Sequence, residues 1–237
     1  MLNTIYDKMM KNTVVLTNSE FSRQAIFKSA GVDALIVPPP VDIGAFHKSR
    51  MTSCKERNNT ILVTSRIDPN KKIENAILLA KLLKAKHIAQ AIIIVGSLCH
   101  ENLQYYSSLK QMVEDLDLAD FVRFEPTASF ERLLELMSKS KAYFHPLPEE
   151  PFGISIVEAM SAGLIPIVPD VGGQTEFVPP KYHYHTLEDA SQVVSLALGA
   201  LNLERKSVSS SINQFSASNY IRNFRQIMDR LSSWEGP

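Results

Sequence analysis

Residues 149–173 read EEPFGISIVEAMSAGLIPIVPDVGG. With the apolar run that precedes it, this stretch gives strand, loop, helix and strand in order. Glu150 falls in the loop, and Glu158 follows on the helix. Between them, Phe152-Gly153-Ile154 makes a glycine-softened turn whose backbone N–H groups open the helix. A helix start carries unsatisfied donors and the positive end of the helix dipole, so it suits an anion. Gly163 is placed to end the helix as a left-handed cap. Leu164–Val168 supplies the next strand and Pro169 stops it. Two carboxylates beside an anion site fit a ligand that carries both phosphates and hydroxyls.

The same alternation extends outward in both directions. Thr60–Ser65 reads as a strand, and Ile73, Ala76, Ile77, Ala80 and Leu83 then fall on one helical face. Ala91–Gly96 is a near-continuous aliphatic run, as expected of a parallel strand covered on both faces. An amphipathic stretch, a strand at Phe121–Phe124, a helix from about Ser129 to Ser140 and a strand at Ala142–His145 lead into the decisive segment. Repeats of this length predict an α/β fold, a Rossmann-like doubly wound parallel sheet with right-handed crossovers. In such sheets ligands lie outside the carboxyl ends of the strands. Arg66, Gly96, Pro126, Glu150 and Gly172 all follow strand ends, so they are expected along one sheet edge.

The two ends of the chain read differently. Thr13–Thr17 is a short strand, Asn18 or Ser19 caps a helix over Glu20–Ala30, and Gly31 ends it. Ala34–Val37 then runs into Pro38-Pro39-Pro40, a stiff extended spacer. Toward the other end, Thr186 and Asp189 have capping-box spacing for a helix reaching about Leu203. Ser207–Ser211 reads as a serine-rich joint. Ile221, Phe224, Ile227, Met228, Leu231 and Trp234 form a helical apolar stripe, expected to dock on the core rather than on a partner.

The decisive segment resembles the E-x7-E signature of family 4 glycosyltransferases, the retaining, two-domain, nucleotide-sugar-dependent class with the B-type fold. Glu150, Phe152, Gly153, Glu158, Ala159, Gly163, Pro166, Gly172 and Gly173 stand in that family's order and spacing. Arg66 and Lys71, in SRIDPNKK, match its cations that bind the donor diphosphate. The family usually has Gly after that lysine, where this chain has Lys72. A guanidinium and an ammonium at this place stabilise a departing nucleoside diphosphate without a metal ion. By resemblance, Glu158 accepts from the ribose hydroxyls. Glu150 holds sugar hydroxyls near the reacting carbon, beside the N–H groups of Phe152, Gly153 and Ile154. Gly172 and Gly173 let backbone approach the sugar or diphosphate, and the base lies against Phe124-Glu125-Pro126-Thr127.

In the family, a segment like residues 18–46 marks the end of the first domain and the crossing into the second. The chain is therefore expected to be the C-terminal, donor-binding half of the two-domain fold. Residues 1–50 are the remnant and linker, 51–205 the nucleotide-sugar-binding domain and 206–237 the crossing helix. The resemblance implies transfer of a hexose with retention, and the wording of PPPVD and the signature is similar to mannosyltransferases that use GDP-mannose. It also implies that transfer requires a missing acceptor-binding domain or a partner, either an acceptor-domain protein or a second copy. The alternative expectation is a nucleotide-sugar-binding or regulatory subunit without turnover.

Composition narrows the class further. In 237 residues, Lys plus Arg equals Asp plus Glu at 25 each, so no global field draws nucleic acid or anionic lipid. No apolar run approaches a membrane span and no signal-peptide pattern follows Met1. A cytoplasmic setting is expected, with peripheral membrane contact left open. Cys54 and Cys99 lack metal spacing, and Cys99 is read as a packed, reduced thiol. His145 is read as a structural strand-end residue. His183 and His185 have no third ligand nearby, so no metal is expected; nor is any cofactor other than the donor. An NAD enzyme is excluded by the missing G-x-G-x-x-G.

Overall fold

The structure, a computed structural model, describes residues 13–50, 53 and 55–232. Cys54 and Trp234 lie outside them.

The chain opens on a small β-α-β unit: β1 (Leu16–Thr17), α1 (Glu20–Ala30) and β2 (Leu35–Ile36), the two strands pairing in parallel. Ser19 caps α1 by accepting from the Ser22 N–H, and Gly31 closes it at φ +67°, as the sequence predicts. Both strands are shorter than expected, since each has a single neighbour to pair with. The unit is fastened to the rest of the chain by hydrogen bonds. The Ser19 hydroxyl donates to the Pro151 carbonyl at 2.6 Å, and the N–H groups of Glu20 and Phe21 donate to the Glu176 carboxylate. No residue of α1 is buried.

After α2 (Ile43–Arg50) come β3 (Asn58–Thr64), α3 (Glu74–Ala85), β4 (Ala91–Gly96), α4 (Leu103–Asp115) and β5 (Val122–Pro126). Next are α5 (Phe130–Lys139), β6 (Ser140–Phe144), α6 (Ile154–Ser161), β7 (Ile165–Pro169) and β8 (His183–Tyr184). The strands form one sheet, β5-β4-β3-β6-β7-β8, parallel throughout. This order runs outward in both directions from β3 and β6, the doubly wound arrangement. Ile61, Leu62 and Val63 on β3 are fully buried, as are Ile92 and Ile94 on β4. Helices cover both faces, which is why these strands are aliphatic rather than alternating. α3 packs with α4 and with α7 (Leu187–Gly199) on one face, while α2, α5, α6 and α8 (Asn202–Ser211) pack together on the other.

Two buried guanidiniums tie this second face to the sheet. Arg57 donates to the carbonyls of Met137 (2.7 Å), Ser140 (2.8 Å), Ser49 (2.5 Å) and Ala162 (2.8 Å). Arg205 does the same for Ala200, Lys141, Gly163 and Ala197. Most of these carbonyls lie at helix C-termini, where the backbone runs out of its own donors and the dipole favours a cation.

The C-terminal quarter corrects three expectations. The capping box at Thr186 and Asp189 is made, but its helix stops at Gly199 because Ala200 and Leu201 are extended, and α8 restarts at Asn202. Ser207–Ser211 is not a joint. It lies in α8, whose Val208 is buried and whose Ser209 hydroxyl donates to the Ser161 carbonyl of α6. The apolar stripe is on α9 (Ala217–Ser232), which buries none of its residues, so it does not dock on the core; Ile221 and Met228 are half exposed. Cys99 is likewise exposed rather than packed, because β4 ends at Gly96 and the thiol follows in the loop that leads into the short 3-10 helix His100–Asn102. Among the described residues, no helix is long and apolar enough to cross a membrane.

Candidate functional site

The carboxyl ends of β3 and β6 diverge at the switch point, and a cleft opens above them. Its larger part, about 580 Å³, is lined by Thr64, Ser65, Arg66, Lys71, His145, Glu150 and the start of α6, closed at one side by Asn18 and Pro39. A second part, about 420 Å³, runs from the same Thr64–Arg66 segment past Gly96 to Thr127 and Phe130. Ser155 and Glu158 stand between the two and line both.

Local sequence explains how each group arrives there. Gly96 ends β4, and a Cβ at that position would sit 1.6 Å from the Ser65 carbonyl oxygen, so only glycine lets the two strand ends close. Asp68 caps the short Pro69–Lys71 turn by accepting from the Asn70 N–H, and this turn delivers Lys71. The turn closes on Lys72 at φ +52°, ψ +42°, left-handed geometry. That explains why glycine is the usual residue at this place, and why a lysine there is strained. Lys72→Gly is expected to stabilise the fold by about 0.5–1 kcal/mol, a partial gain because glycine also frees the unfolded chain. A urea midpoint that falls instead would show that the turn is not strained.

α6 starts at Gly153, at φ +100°, with no side-chain cap. The N–H groups of Phe152, Gly153, Ile154 and Ser155 donate to no acceptor among the described residues. Ile154, Ser155 and Glu158 share the face turned to the cleft, while Ile156, Val157, Ala159 and Met160 enter the core. The Phe152 ring is buried against Phe177 and Phe215, so only its backbone is offered to the cleft.

The two glutamates sit in opposite electrostatic environments. Glu150 Oε2 lies 3.2 Å from Lys71 Nζ and 3.5 Å from His145 Nε2. The imidazole first, and the ammonium after it, hold this carboxyl at about 2 despite its burial. The Glu158 carboxyl makes no hydrogen bond among the described residues, and burial alone pushes it up to about 7. One carboxylate is thus firmly charged and the other is near its titration point at neutral pH. Arg66 is exposed, lines both parts of the cleft and makes no ion pair among the described residues.

Three buried polar atoms make no hydrogen bond of ordinary length among the described residues: Thr64 Oγ1, Gln174 Oε1 and His145 Nε2, the last with Glu150 Oε2 at 3.5 Å. Native folds seldom leave such atoms unpaired unless something else pairs with them. Thr64 and His145 line the cleft, and Gln174 abuts Gly172 behind Glu150.

Of the residues predicted from sequence, Arg66, Lys71, Gly96, Glu150, Phe152, Gly153, Ile154 and Glu158 therefore converge on the cleft. Gly172 and Gly173 stand one layer back. Gly173 N–H donates to the Glu150 carbonyl at 2.8 Å, and the atoms that crowd both glycines are those of Glu150, Pro151, Gln174 and Ser19. Pro126 ends β5 and lines neither part. Phe124 packs on Tyr106, and Glu125 pairs with Arg132, so of that tetrapeptide only Thr127 lines the cleft. Thr64, His145 and Ser155 also line the cleft, and the sequence does not mark them as part of it. The one sequence signal for His145 was its place at a strand end five residues before Glu150. His183 donates to or accepts from no cleft residue, and His185 pairs with Asp170 at 2.6 Å.

A doubly wound sheet, a switch-point cleft and this pair of glutamates meet in one family. The model for glycosyl transferases group 1 matches residues 47–207. The chain belongs to that family. Among curated relatives, the O-antigen chain mannosyltransferase RfbU of Salmonella typhimurium is 34% identical over 66% of this chain and 42% of its own length. The GDP-Man:Man(3)GlcNAc(2)-PP-Dol alpha-1,2-mannosyltransferase of Dictyostelium discoideum is 26% identical over 86% of this chain and 44% of its own. The chain thus spans less than half the length of these relatives. A solved glycosyltransferase from Rickettsia africae shares the fold, with TM-score 0.81 at 19% identity, over 98% of this chain and 67% of that one.

Proposed function

We propose that the cleft binds a nucleoside-diphosphate sugar and that the chain supplies the donor side of a hexosyl transfer with retention of configuration. The observation that carries this reading is the convergence of Arg66, Lys71 and the free N–H groups at the start of α6 on a cleft walled by two glutamates. The cations and N–H groups receive the diphosphate and neutralise the charge that gathers on it as the glycosidic bond breaks. Glu158 accepts from the ribose hydroxyls, since it borders the smaller cavity that extends to Gly96 and Thr127, where the base is seated. Glu150, at the opposite wall, accepts from hydroxyls of the sugar. GDP-mannose is the proposed donor, on the strength of mannosyltransferases among the relatives.

Transfer also needs an acceptor hydroxyl held against the anomeric carbon and water kept away. The residues of the cleft serve the donor, so an acceptor-binding protein or a second copy is proposed for the rest. The proposed setting is cytoplasmic, with or without peripheral membrane contact.

Because the anion site is built from protein cations and backbone donors, binding is expected to need no metal. Calorimetry in the presence of a chelator, with GDP-mannose, UDP-glucose, GDP and UDP as titrants, checks this. Heat of binding that emerges only on adding Mg²⁺ or Mn²⁺ would refute it.

A further inference from the structure

We infer that His145 is a positioning residue for Glu150: it holds one oxygen of that carboxylate so that the other faces the sugar of the donor. The inference rests on the proposed reading of the cleft and assigns a part to a residue that reading does not use.

The geometry is specific. Lys71 and His145 both approach Oε2 of Glu150, while Oε1 receives no hydrogen bond among the described residues. The carboxylate is therefore divided into a held oxygen and an offered one. The two groups that hold it differ in kind. Lys71 is a long, partly exposed side chain, and the proposed function draws its ammonium toward the diphosphate. His145 is buried and pinned on several sides. Its N–H donates to the Ile167 carbonyl at 2.9 Å, its carbonyl accepts from the Tyr184 hydroxyl at 2.9 Å, and its Nδ1 lies 3.3 Å from the Tyr143 hydroxyl. When Lys71 turns to a phosphate, His145 remains to keep Glu150 charged and in place.

Tyr143 makes the imidazole suitable for this. Its buried hydroxyl contacts the Ser155 hydroxyl at 2.9 Å, and Ser155 can donate to it. The one Tyr143 proton has two acceptors at 3.3 Å, the Thr64 carbonyl and His145 Nδ1; given to Nδ1, it leaves the ring proton on Nε2, directed at Glu150. A doubly protonated ring presents the same Nε2–H. At 3.5 Å the Nε2 contact is longer than an ordinary N–H···O bond, yet Nε2 is buried and has no other acceptor among the described residues. Contacts of this kind commonly tighten when the ligand arrives.

The test has a ligand-free arm and a ligand arm, using His145→Leu, His145→Gln and Tyr143→Phe. His145→Gln is the rescue variant, because its amide nitrogen reaches the place of Nε2. In the ligand-free arm, carbon NMR tracks the Glu150 carboxyl through its titration. His145→Leu is expected to raise its midpoint by about one unit, and His145→Gln by less than half of that. Tyr143→Phe, which keeps the ring packing, is expected to shift it in the same direction. An unchanged Glu150 titration in both His145→Leu and Tyr143→Phe overturns the inference.

In the ligand arm, calorimetry compares GDP with GDP-mannose and UDP with UDP-glucose. His145→Leu is expected to leave the diphosphate within about threefold of the parent and to weaken the sugar nucleotide about tenfold, with recovery in His145→Gln. Equal losses on diphosphate and sugar nucleotide, or no recovery in His145→Gln, reduce His145 to a packing residue and overturn the inference. A parent protein that binds none of the four ends the proposed reading and the sugar half of this inference with it. The titration still decides the His145–Glu150 contact.

Discussion

Arg57→Met is expected to lower the unfolding free energy by about 3–5 kcal/mol, because it strands four buried carbonyls at once. Those carbonyls belong to Ser49, Met137, Ser140 and Ala162, which end or follow three different helices on one face of the sheet. Methionine fills much of the space but donates nothing. For a protein of this size, the drop corresponds to a melting temperature lower by roughly 6–20 °C. Arg57→Lys should recover only part of the loss, since an ammonium is compact and cannot fork toward partners on both sides. Thermal melts that place Arg57→Met within 1 kcal/mol of the parent would mean that the carbonyls find water instead.

Glu158→Gln is expected to weaken nucleotide binding by roughly 1.5–3 kcal/mol, since a neutral amide replaces a charged acceptor of the ribose hydroxyls. That is about 10- to 150-fold in Kd. The same residue sets a pH dependence. In the free protein burial raises Glu158 from 4.5 to about 7. On the proposed reading, ribose hydroxyls donate to the ionised form, so the complex would hold fewer protons than the free protein, and affinity is expected to rise with pH up to about 7 and level off above it. A sugar nucleotide is the right titrant, because its diphosphate has no proton to lose in that range. Glu158→Gln should flatten the profile; a parent profile that is already flat between pH 5 and 7 would remove Glu158 from the ribose. The sign for the free fold is the reverse. A folded value raised above the unfolded one contributes stability below pH 4.5 that is lost as pH rises through 7.

The parts of the molecule that the sequence discloses are those set by local chemistry. Ala91–Gly96 is a strand with those bounds, because six residues with no polar side chain match no surface element. Ser19 and Gly31 bracket α1 because a side-chain acceptor and a left-handed residue are local devices. The serines of 207–211 mislead because composition is a weak prior, and the packing of α8 on α6 overrides it. Arg57 and Arg205 are invisible in the sequence, since their partners come from segments as far as 105 residues away in the case of Ala162. The contact of His145 with Glu150 is hidden for the same reason. A strand-end histidine acquires meaning only when Lys71, delivered by another strand, meets the same carboxylate oxygen. In the cleft, motif spacing locates Glu150 and Glu158, while the opposite directions in which their titrations are displaced depend on burial and neighbours that no spacing encodes.

The wall that Ser155 and Glu158 share between the two cavities has a further consequence for turnover. On the proposed reading, nucleoside and sugar occupy adjoining compartments and reach the site as one covalent molecule. Each half then binds at the effective concentration set by its tether to the other, an advantage that requires no additional contact. Cleaving the glycosidic bond ends the tether. The sugar leaves with its acceptor, and the nucleoside diphosphate keeps only its own contacts. On that reading, chemistry itself loosens the product, because the nucleoside diphosphate no longer has the sugar side to hold it.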